Sequence, residues 1–222
     1  MIGRVSAQAV LVIVLLTATA CDAVVSGQAT WPGATLDKVV LTAADFPAGV
    51  QYDRVSDDPG RPDGAGGPPA MLSSPEGCSD GLTRVIARSA ERGPGSAAQF
   101  VATYDGARMV LTVLSSPLRL DQLEATAERC AEFRTYFDPS DPGIPMTTTK
   151  LPTRNSSTLA YQQTMRLSGA EEHVYFAFAN IDGWAVFGIA FPAANPSIPV
   201  KATLPQTFLD TFDMQTDRLE LR

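Results

Sequence analysis

Ala98-Gln99-Phe100-Val101-Ala102-Thr103-Tyr104-Asp105-Gly106-Ala107-Arg108-Met109-Val110-Leu111-Thr112-Val113 is the stretch from which the fold can be read. Two alternating runs flank Asp105-Gly106, a dipeptide favoured in two-residue type I′ turns. Pairing Tyr104 with Ala107 places Ala98, Phe100, Ala102, Tyr104, Met109, Leu111 and Val113 on one face and Gln99, Thr103, Arg108 and Thr112 on the other. A slip of one residue would mix the two sets, so the turn and the pattern specify the same register. The result is an antiparallel hairpin with one core face and one wetter face.

Downstream, Met146 to Leu151, Leu159 to Leu167, His173 to Asn180 and Trp184 to Phe191 read as strands, the last two closing around Asp182-Gly183. With Phe178 opposite Ala185, Phe176 meets Phe187 and Val174 meets Ile189 on a dense apolar face. The reverse face carries His173, Tyr175, Ala177, Ala179, Trp184, Val186, Gly188 and Ala190. Tyr175 and Trp184 among small residues suit either a seat for a close-packed helix or the wall of an apolar ligand cleft, and the sequence leaves both open.

Helical spacing recurs after Cys78 (Leu82, Val85, Ile86, then Ser89 or Ala90) and in a longer segment (Leu120, Leu123, Ala127, Cys130, Phe133 or Phe137) whose Glu124, Glu128, Arg129 and Glu132 read as a solvated face. It returns at Leu204, Phe208, Leu209 and Phe212, with Thr203 as N-cap, Pro205 in the first turn and a charged tail. Upstream, Thr42-Ala43-Ala44-Asp45 has capping-box spacing and Val50 to Val55 reads as a strand. Residues 57–70, rich in Gly and Pro, have little to bury and read as a mobile loop. This order predicts an α+β fold: an antiparallel sheet with two to three helices packed on it and one disulfide.

The N-terminus sets the expected compartment. Arg4, the apolar run Ala9 to Leu16 and the small residues Thr17 to Ala20 make a signal peptide over 1–20, too short to span a bilayer, which takes roughly 20 apolar residues. Cys21 follows directly and resembles the acylated cysteine of a bacterial lipobox, although Ala18 stands where that motif usually carries Leu, Val or Ile. The resemblance implies a diacylglyceryl thioether and a fatty acyl chain such as palmitate on Cys21. It thereby implies anchoring at the extracytoplasmic face of the cell membrane, while the small, polar composition with Pro32 and Gly33 reads as a flexible tether over 21–35 before a folded domain over 36–222. Acyl burial at about 0.8 kcal/mol per methylene makes two or more chains a lasting anchor. The alternative is plain secretion with a free thiol near the new terminus.

With Cys21 assigned to lipid, Cys78 and Cys130 remain as one intramolecular pair. Two cysteines without clustered His or Cys do not complete a zinc site. Glu171-Glu172 beside His173 reads as a charged turn, and Asp138 to Gly143 as turn-formers without EF-hand spacing, so no metal and no cofactor is expected. The net charge is −7, and loss of Arg4 with the signal takes it from −7 to −8, which disfavours nucleic acid as a partner.

One catalytic pattern is present: Gly77-Cys78-Ser79-Asp80-Gly81 satisfies G-x-S-x-G, and Asp105, Asp121 or Asp141 followed by His173 would complete a serine esterase of the cutinase kind in hydrolase order. Its context argues against it. Met71 to Glu76 does not read as the buried strand an elbow needs, Cys78 is wanted for the disulfide, His173 opens a strand, and no βα alternation supplies a parallel sheet. Ser79 reads instead as a helix N-cap.

Asp45-Phe46-Pro47-Ala48-Gly49 near the start of the domain, Cys78 before a helix, a hairpin, Cys130 late in a second helix, then strands and a final helix together resemble the extracytoplasmic sensor domain of the mycobacterial Ser/Thr kinase PknH and lipoproteins built on it. The resemblance implies an α+β sensor-like domain with a ligand cleft, and the Arg-, Ala-, Gly- and Pro-rich composition fits an actinobacterial chain. That family normally has two disulfides where this chain can form one. The expected function is a membrane-anchored, non-catalytic ligand-binding or sensor-like module for a small apolar or envelope-derived ligand; an envelope protein partner, with the chain as a structural or assembly component, is the alternative.

Overall fold

The hairpin forms in the expected register, with Tyr104 opposite Ala107 and Phe100 opposite Leu111, as strands β3 (Ala97–Tyr104) and β4 (Ala107–Leu114) of the computed structural model, which describes residues 32–55, 71–89 and 95–221. It lies in a nine-stranded antiparallel sheet with β1 (Gln51–Val55), β2 (Leu72–Ser74), β5 (Glu132–Tyr136), β6 (Ile144–Lys150), β7 (Leu159–Leu167), β8 (Ala170–Ile181) and β9 (Trp184–Phe191), in the order β1-β3-β4-β9-β8-β7-β6-β5-β2. Helices α1 (Pro32–Val39), α2 (Gly81–Ser89), α3 (Leu120–Arg129) and α4 (Gln206–Glu220) complete the described residues, with a 3-10 turn at Ala43–Asp45. That turn carries the predicted capping box: Asp45 Oδ2 accepts from the Thr42 N–H at 2.7 Å.

Both faces of the sheet are covered. On one, Phe100, Met109 and Leu111 join Tyr175, Ala177 and Val186 beneath Leu36 and Val39 of α1 and Phe208 and Phe212 of α4. On the other, Tyr161, Phe176 and Phe178 pack against Leu82 and Ile86 of α2 and Leu123 and Ala127 of α3. The hairpin face expected to be wetter is therefore partly enclosed, and its Gln99 and Thr112 satisfy each other across the strands at 2.8 Å.

Among the described residues the helix count is four rather than two to three because the chain is already helical from Pro32, inside the segment expected to be tether. The signal peptide, residues 21–31 and the loop 57–70 lie outside the described residues.

Four local expectations are corrected. The first concerns Asp105-Gly106, where Gly106 has φ 105° but Asp105 does not share a positive φ, so the turn is not type I′, which needs both. The segment after β9 grips it: Asp105 N–H donates to the Val200 carbonyl at 2.9 Å, Gly106 N–H to that of Ala193 at 3.0 Å, and Ala202 N–H to that of Asp105 at 2.9 Å. A Cβ on Gly106 would lie 2.8 Å from the Ala202 carbonyl oxygen, so glycine is required for this approach.

Second, β8 and β9 pair with Phe178 opposite Phe187, two residues from the expected register. Asp182 (φ 46°) and Gly183 (φ 85°) form a true two-residue turn that brings Ile181 opposite Trp184. A slip of two leaves every side chain on its expected face.

Third, α3 stops at Arg129 and the chain continues as β5, where Phe133 and Thr135 are buried and Glu132 and Arg134 exposed. Pairing with β2 and β6 captures this alternation, and Phe137, outside the helix, is 80% exposed. Fourth, α4 begins at Gln206 with Pro205, not Thr203, at the capping position; the Thr203 carbonyl accepts from the Thr207 N–H at 2.9 Å, and the charged tail is the helix's own last turns.

The reverse face of the β8–β9 hairpin receives α4. A Cβ on Gly188 would stand 2.8 Å from Phe208 Cε2 and 3.3 Å from Phe212 Cδ2, so the missing side chain sets how closely the helix approaches. Tyr175, 5% exposed, lies within this core, and half-buried Trp184 packs against it. The two residues therefore support a helix and do not line an open cleft.

Candidate functional site

Tyr161 sits on β7, opposite Lys150 of β6 and Phe176 of β8, so its ring points to the face that α3 covers. On α3, Glu124, Ala127 and Glu128 stand at i, i+3 and i+4, one side of the helix. Ala127 is small and buried, while the two carboxylates flank it. The gap left between helix and sheet is a cavity of about 180 Å³ lined by Glu124, Ala127, Glu128, Ala131, Thr148, Lys150 and Tyr161.

Its polar groups are unevenly satisfied. Lys150 Nζ donates to Glu124 Oε1 at 2.6 Å, an ion pair half open to solvent. Thr148 is held at both ends, its N–H donating to the Ala131 carbonyl at 2.8 Å and its Oγ1 accepting from Gln163 Nε2 at 3.3 Å. Tyr161 is only 3% exposed, and its hydroxyl has no hydrogen-bond partner among the described residues. Ser116 Oγ is likewise unpartnered but lines neither this cavity nor the one below.

Burial, and after it the negative charges of Glu124 and Glu128, pushes the Tyr161 phenol up to about 12. At any physiological pH it is therefore protonated, a donor that lacks an acceptor. An unmet buried donor costs roughly 1–3 kcal/mol. Tyr161→Phe is accordingly expected to raise the stability of the unliganded protein by about 1 kcal/mol, read from urea unfolding midpoints; a loss of stability would mean that the hydroxyl is already satisfied.

A second cavity, about 260 Å³, lies between the β6–β7 connection and α4, lined by residues including Thr153, Arg154, Gln206, Asp210 and Asp213. Its polar side chains are mutually engaged. Arg154 pairs with Asp213 at 3.3 Å and Asp217 at 2.7 Å, Gln206 Nε2 donates to Asp210 at 2.7 Å, and the Thr153 hydroxyl donates to the Asn155 carbonyl at 3.0 Å. Although larger, this cavity carries no unmet group and reads as a joint between α4 and the loop.

The residues singled out by sequence are dispersed. Cys78 and Cys130 form the predicted disulfide, with Cα atoms 5.5 Å apart. Ser79 is not an N-cap: its hydroxyl donates to the Met71 carbonyl, while the Asp80 carbonyl accepts from Arg84 N–H at 2.8 Å and from the Thr83 hydroxyl at 2.9 Å at the start of α2. A strand does precede it, but β2 is a three-residue sheet edge and, as expected, not the buried strand of a nucleophile elbow.

His173 Nδ1 lies 3.2 Å from Gln162 Nε2 and 3.1 Å from Thr164 Oγ1, and no hydrogen bond joins it to Ser79. Of the acids, Asp105 Oδ1 accepts from Asn195 N–H and Asp121 pairs with Arg119 at 3.5 Å. Glu171 pairs with Arg166 at 2.8 Å, Asp138 accepts from Ser140 in a side-chain turn, and no group of three metal-ligating side chains occurs among the described residues. Cys21 lies outside them.

Sequence reasoning missed the Tyr161 cavity. Glu124 and Glu128 read as an exposed helix face, which in part they are, and Tyr161 as one more strand aromatic. The available signal was the small Ala127 between two carboxylates, but only the packing of α3 on β7 reveals what lies opposite.

No family model matches the chain, and no curated protein matches it. Among solved structures the chain is similar to the extracellular domain of PknH from Mycobacterium tuberculosis, at 10% identity over 86% of this chain and 97% of that one, with TM-score 0.48. It is also similar to an uncharacterized Mycobacterium smegmatis protein, the Rv0999 ortholog, at 15% identity over 85% of this chain and 95% of that one, with TM-score 0.48.

Proposed function

We propose that this chain is a membrane-anchored extracytoplasmic lipoprotein that acts as a non-catalytic ligand-binding or sensor-like module, its ligand seated in the cavity between α3, β6 and β7. The observation that carries the ligand-binding half is the cavity itself, walled in part by Tyr161, whose buried hydroxyl has no partner among the described residues. A fold that retains such a group loses stability unless something meets it, the usual trade at binding sites. The dispersal of Ser79 and His173 favours the non-catalytic reading over the esterase.

The test is native mass spectrometry of the detergent-solubilised mature protein after incubation with envelope extract. A discrete adduct on the wild type that is absent from Tyr161→Phe is the expected result; an unchanged mass throughout overturns the reading.

Anchoring is supported by cysteine use. Because Cys78 and Cys130 are joined, Cys21 is the one cysteine left for lipid. No helix of the described residues is long and apolar enough to cross a membrane. Cys21→Ala is expected to move the protein from the membrane fraction to the soluble fraction and to abolish palmitate labelling. Retention of label in that variant would sink the assignment.

A further inference from the structure

We propose that Cys78 is the thiolate through which the disulfide is made: it attacks a disulfide-bearing oxidant, and Cys130 then displaces that oxidant from it. The inference goes beyond ligand binding and rests only on the extracytoplasmic part of the reading above, which places the chain where disulfides form. The two cysteines stand in different electrostatic surroundings. Arg129 donates through Nη1 to Cys78 Sγ at 3.4 Å and to the Glu76 carbonyl at 2.9 Å. A guanidinium held against one sulfur favours its thiolate over its thiol. Cys130 instead ends α3, where a negative charge meets the last carbonyls of the helix, and is packed with Phe133 and Met146.

The other charged groups nearby do not reverse this order. Asp80 is paired with Arg84, the Arg134 guanidinium is turned to the Pro142 carbonyl at 2.7 Å, and Glu76, Glu128 and Glu132 are exposed and screened. The start of α2 adjoins both cysteines, with Gly81 N–H donating to the Cys78 carbonyl at 3.4 Å and a Cβ on Gly81 lying 3.8 Å from Cys130 Sγ, so it does not tell them apart. Access favours the same residue. Cys78 is carried by the turn after β2, an edge strand of three residues that pairs with β5, whereas Cys130 sits at the junction of α3 and β5. In the oxidised protein Cys78 is 1% and Cys130 2% exposed, so the exchange belongs to the reduced chain, before the turn is tied down. There the Cys78 thiolate attacks one sulfur of the oxidant and expels the other as a thiolate, leaving a mixed disulfide. Cys130 loses its proton to solvent and attacks Cys78 Sγ, expelling the oxidant's remaining sulfur. Two electrons pass from the cysteine pair to the oxidant, and the Cα atoms end 5.5 Å apart.

The closing experiment uses the reduced mature protein in detergent, with oxidised glutathione as the oxidant and peptide mass spectrometry as the readout, so that Cys21 does not enter. At about pH 7, Cys78 in Cys130→Ala is expected to gain glutathione about tenfold faster than Cys130 in Cys78→Ala. Adding Arg129→Gln to Cys130→Ala is expected to slow Cys78 about threefold at that pH, a roughly tenfold smaller thiolate fraction being offset about threefold by greater nucleophilicity. At about pH 10.5, where the sulfur is ionised in either case, the same change should speed the reaction about threefold. Only an electrostatic role inverts the effect with pH; a change that merely loosened the turn would act with one sign at both. Equal rates for the two cysteines, a faster Cys130, or no inversion with Arg129→Gln overturns the proposal. Loss of native structure on reduction, seen by circular dichroism, overturns it too, since Arg129 then has no sulfur to act on. None of these outcomes touches the anchoring reading, which Cys21→Ala decides by itself.

Discussion

Gln215→Leu is expected to lower the free energy of unfolding by about 2–6 kcal/mol, because it orphans two buried backbone groups at once, each worth roughly 1–3 kcal/mol when unmet. Gln215 lies on α4 and is 0% exposed. Its Oε1 accepts from the Leu41 N–H at 3.0 Å and its Nε2 donates to the Val39 carbonyl at 2.9 Å, completing the backbone just where α1 ends. Leucine fills a similar volume, so the loss would report polar satisfaction and not a cavity. Arg218, one turn further along α4, adds a bond to the Val40 carbonyl at 3.3 Å and an ion pair with Asp45. Urea unfolding followed by circular dichroism gives the magnitude. Amide exchange gives the location: Leu41 should lose protection before the central strands do. A change within about 0.5 kcal/mol, the range of an unremarkable surface substitution, would refute this account of the clamp.

Removing the disulfide has the second large expected effect. Cys78 and Cys130 are 52 residues apart, and constraining a loop of that length stabilises by about 4 kcal/mol on the chain-entropy model. The bond ties the turn before α2 to the end of α3, where both cysteines pack with Phe133 and partly buried Met146. A Cβ on Gly81 would come within 2.8 Å of Thr126 Cγ2, so the two helices already meet closely at this point. The double variant Cys78→Ala, Cys130→Ala should therefore lose most of that energy without changing the sheet. Unfolding curves of this variant and the wild type, each with and without reductant, separate the bond from the side chains. Equal stability of oxidised and reduced wild type would show that the bond contributes nothing.

These two sites differ in how far the sequence reveals them. The disulfide could be paired by counting, because an exported chain has little use for unpaired thiols and Cys21 has another role available. Gln215 carries no local signal. A glutamine in the penultimate turns of an amphipathic helix reads as surface, and only a partner segment some 174 residues earlier in the chain turns it into a buried cap.

The same division runs through the fold. The β3–β4 and β8–β9 strands, their core faces and the helix before β3 were legible because side chains two, three or four residues apart determine them. The end of α3 was not, since Phe133 fits a helix face and a strand face equally until β2 and β6 are present to pair with it.

By itself, then, the sequence determined the antiparallel sheet, the parity of the faces in the β3–β4 and β8–β9 hairpins, the register of the first of them, three of the helices and the pairing of Cys78 with Cys130. Periodicity, turn chemistry and cysteine number are properties of neighbouring residues or of simple counts. Only the tertiary structure decided the turn at Asp105-Gly106, where the segment from Ala193 to Ala202 overrides the dipeptide's own preference. It also decided that Tyr175 is core, and that Tyr161 faces two glutamates with its hydroxyl unmet. Those outcomes depend on what distant segments bring to the residue, and a hydroxyl has a partner, or lacks one, only once the chain has closed around it.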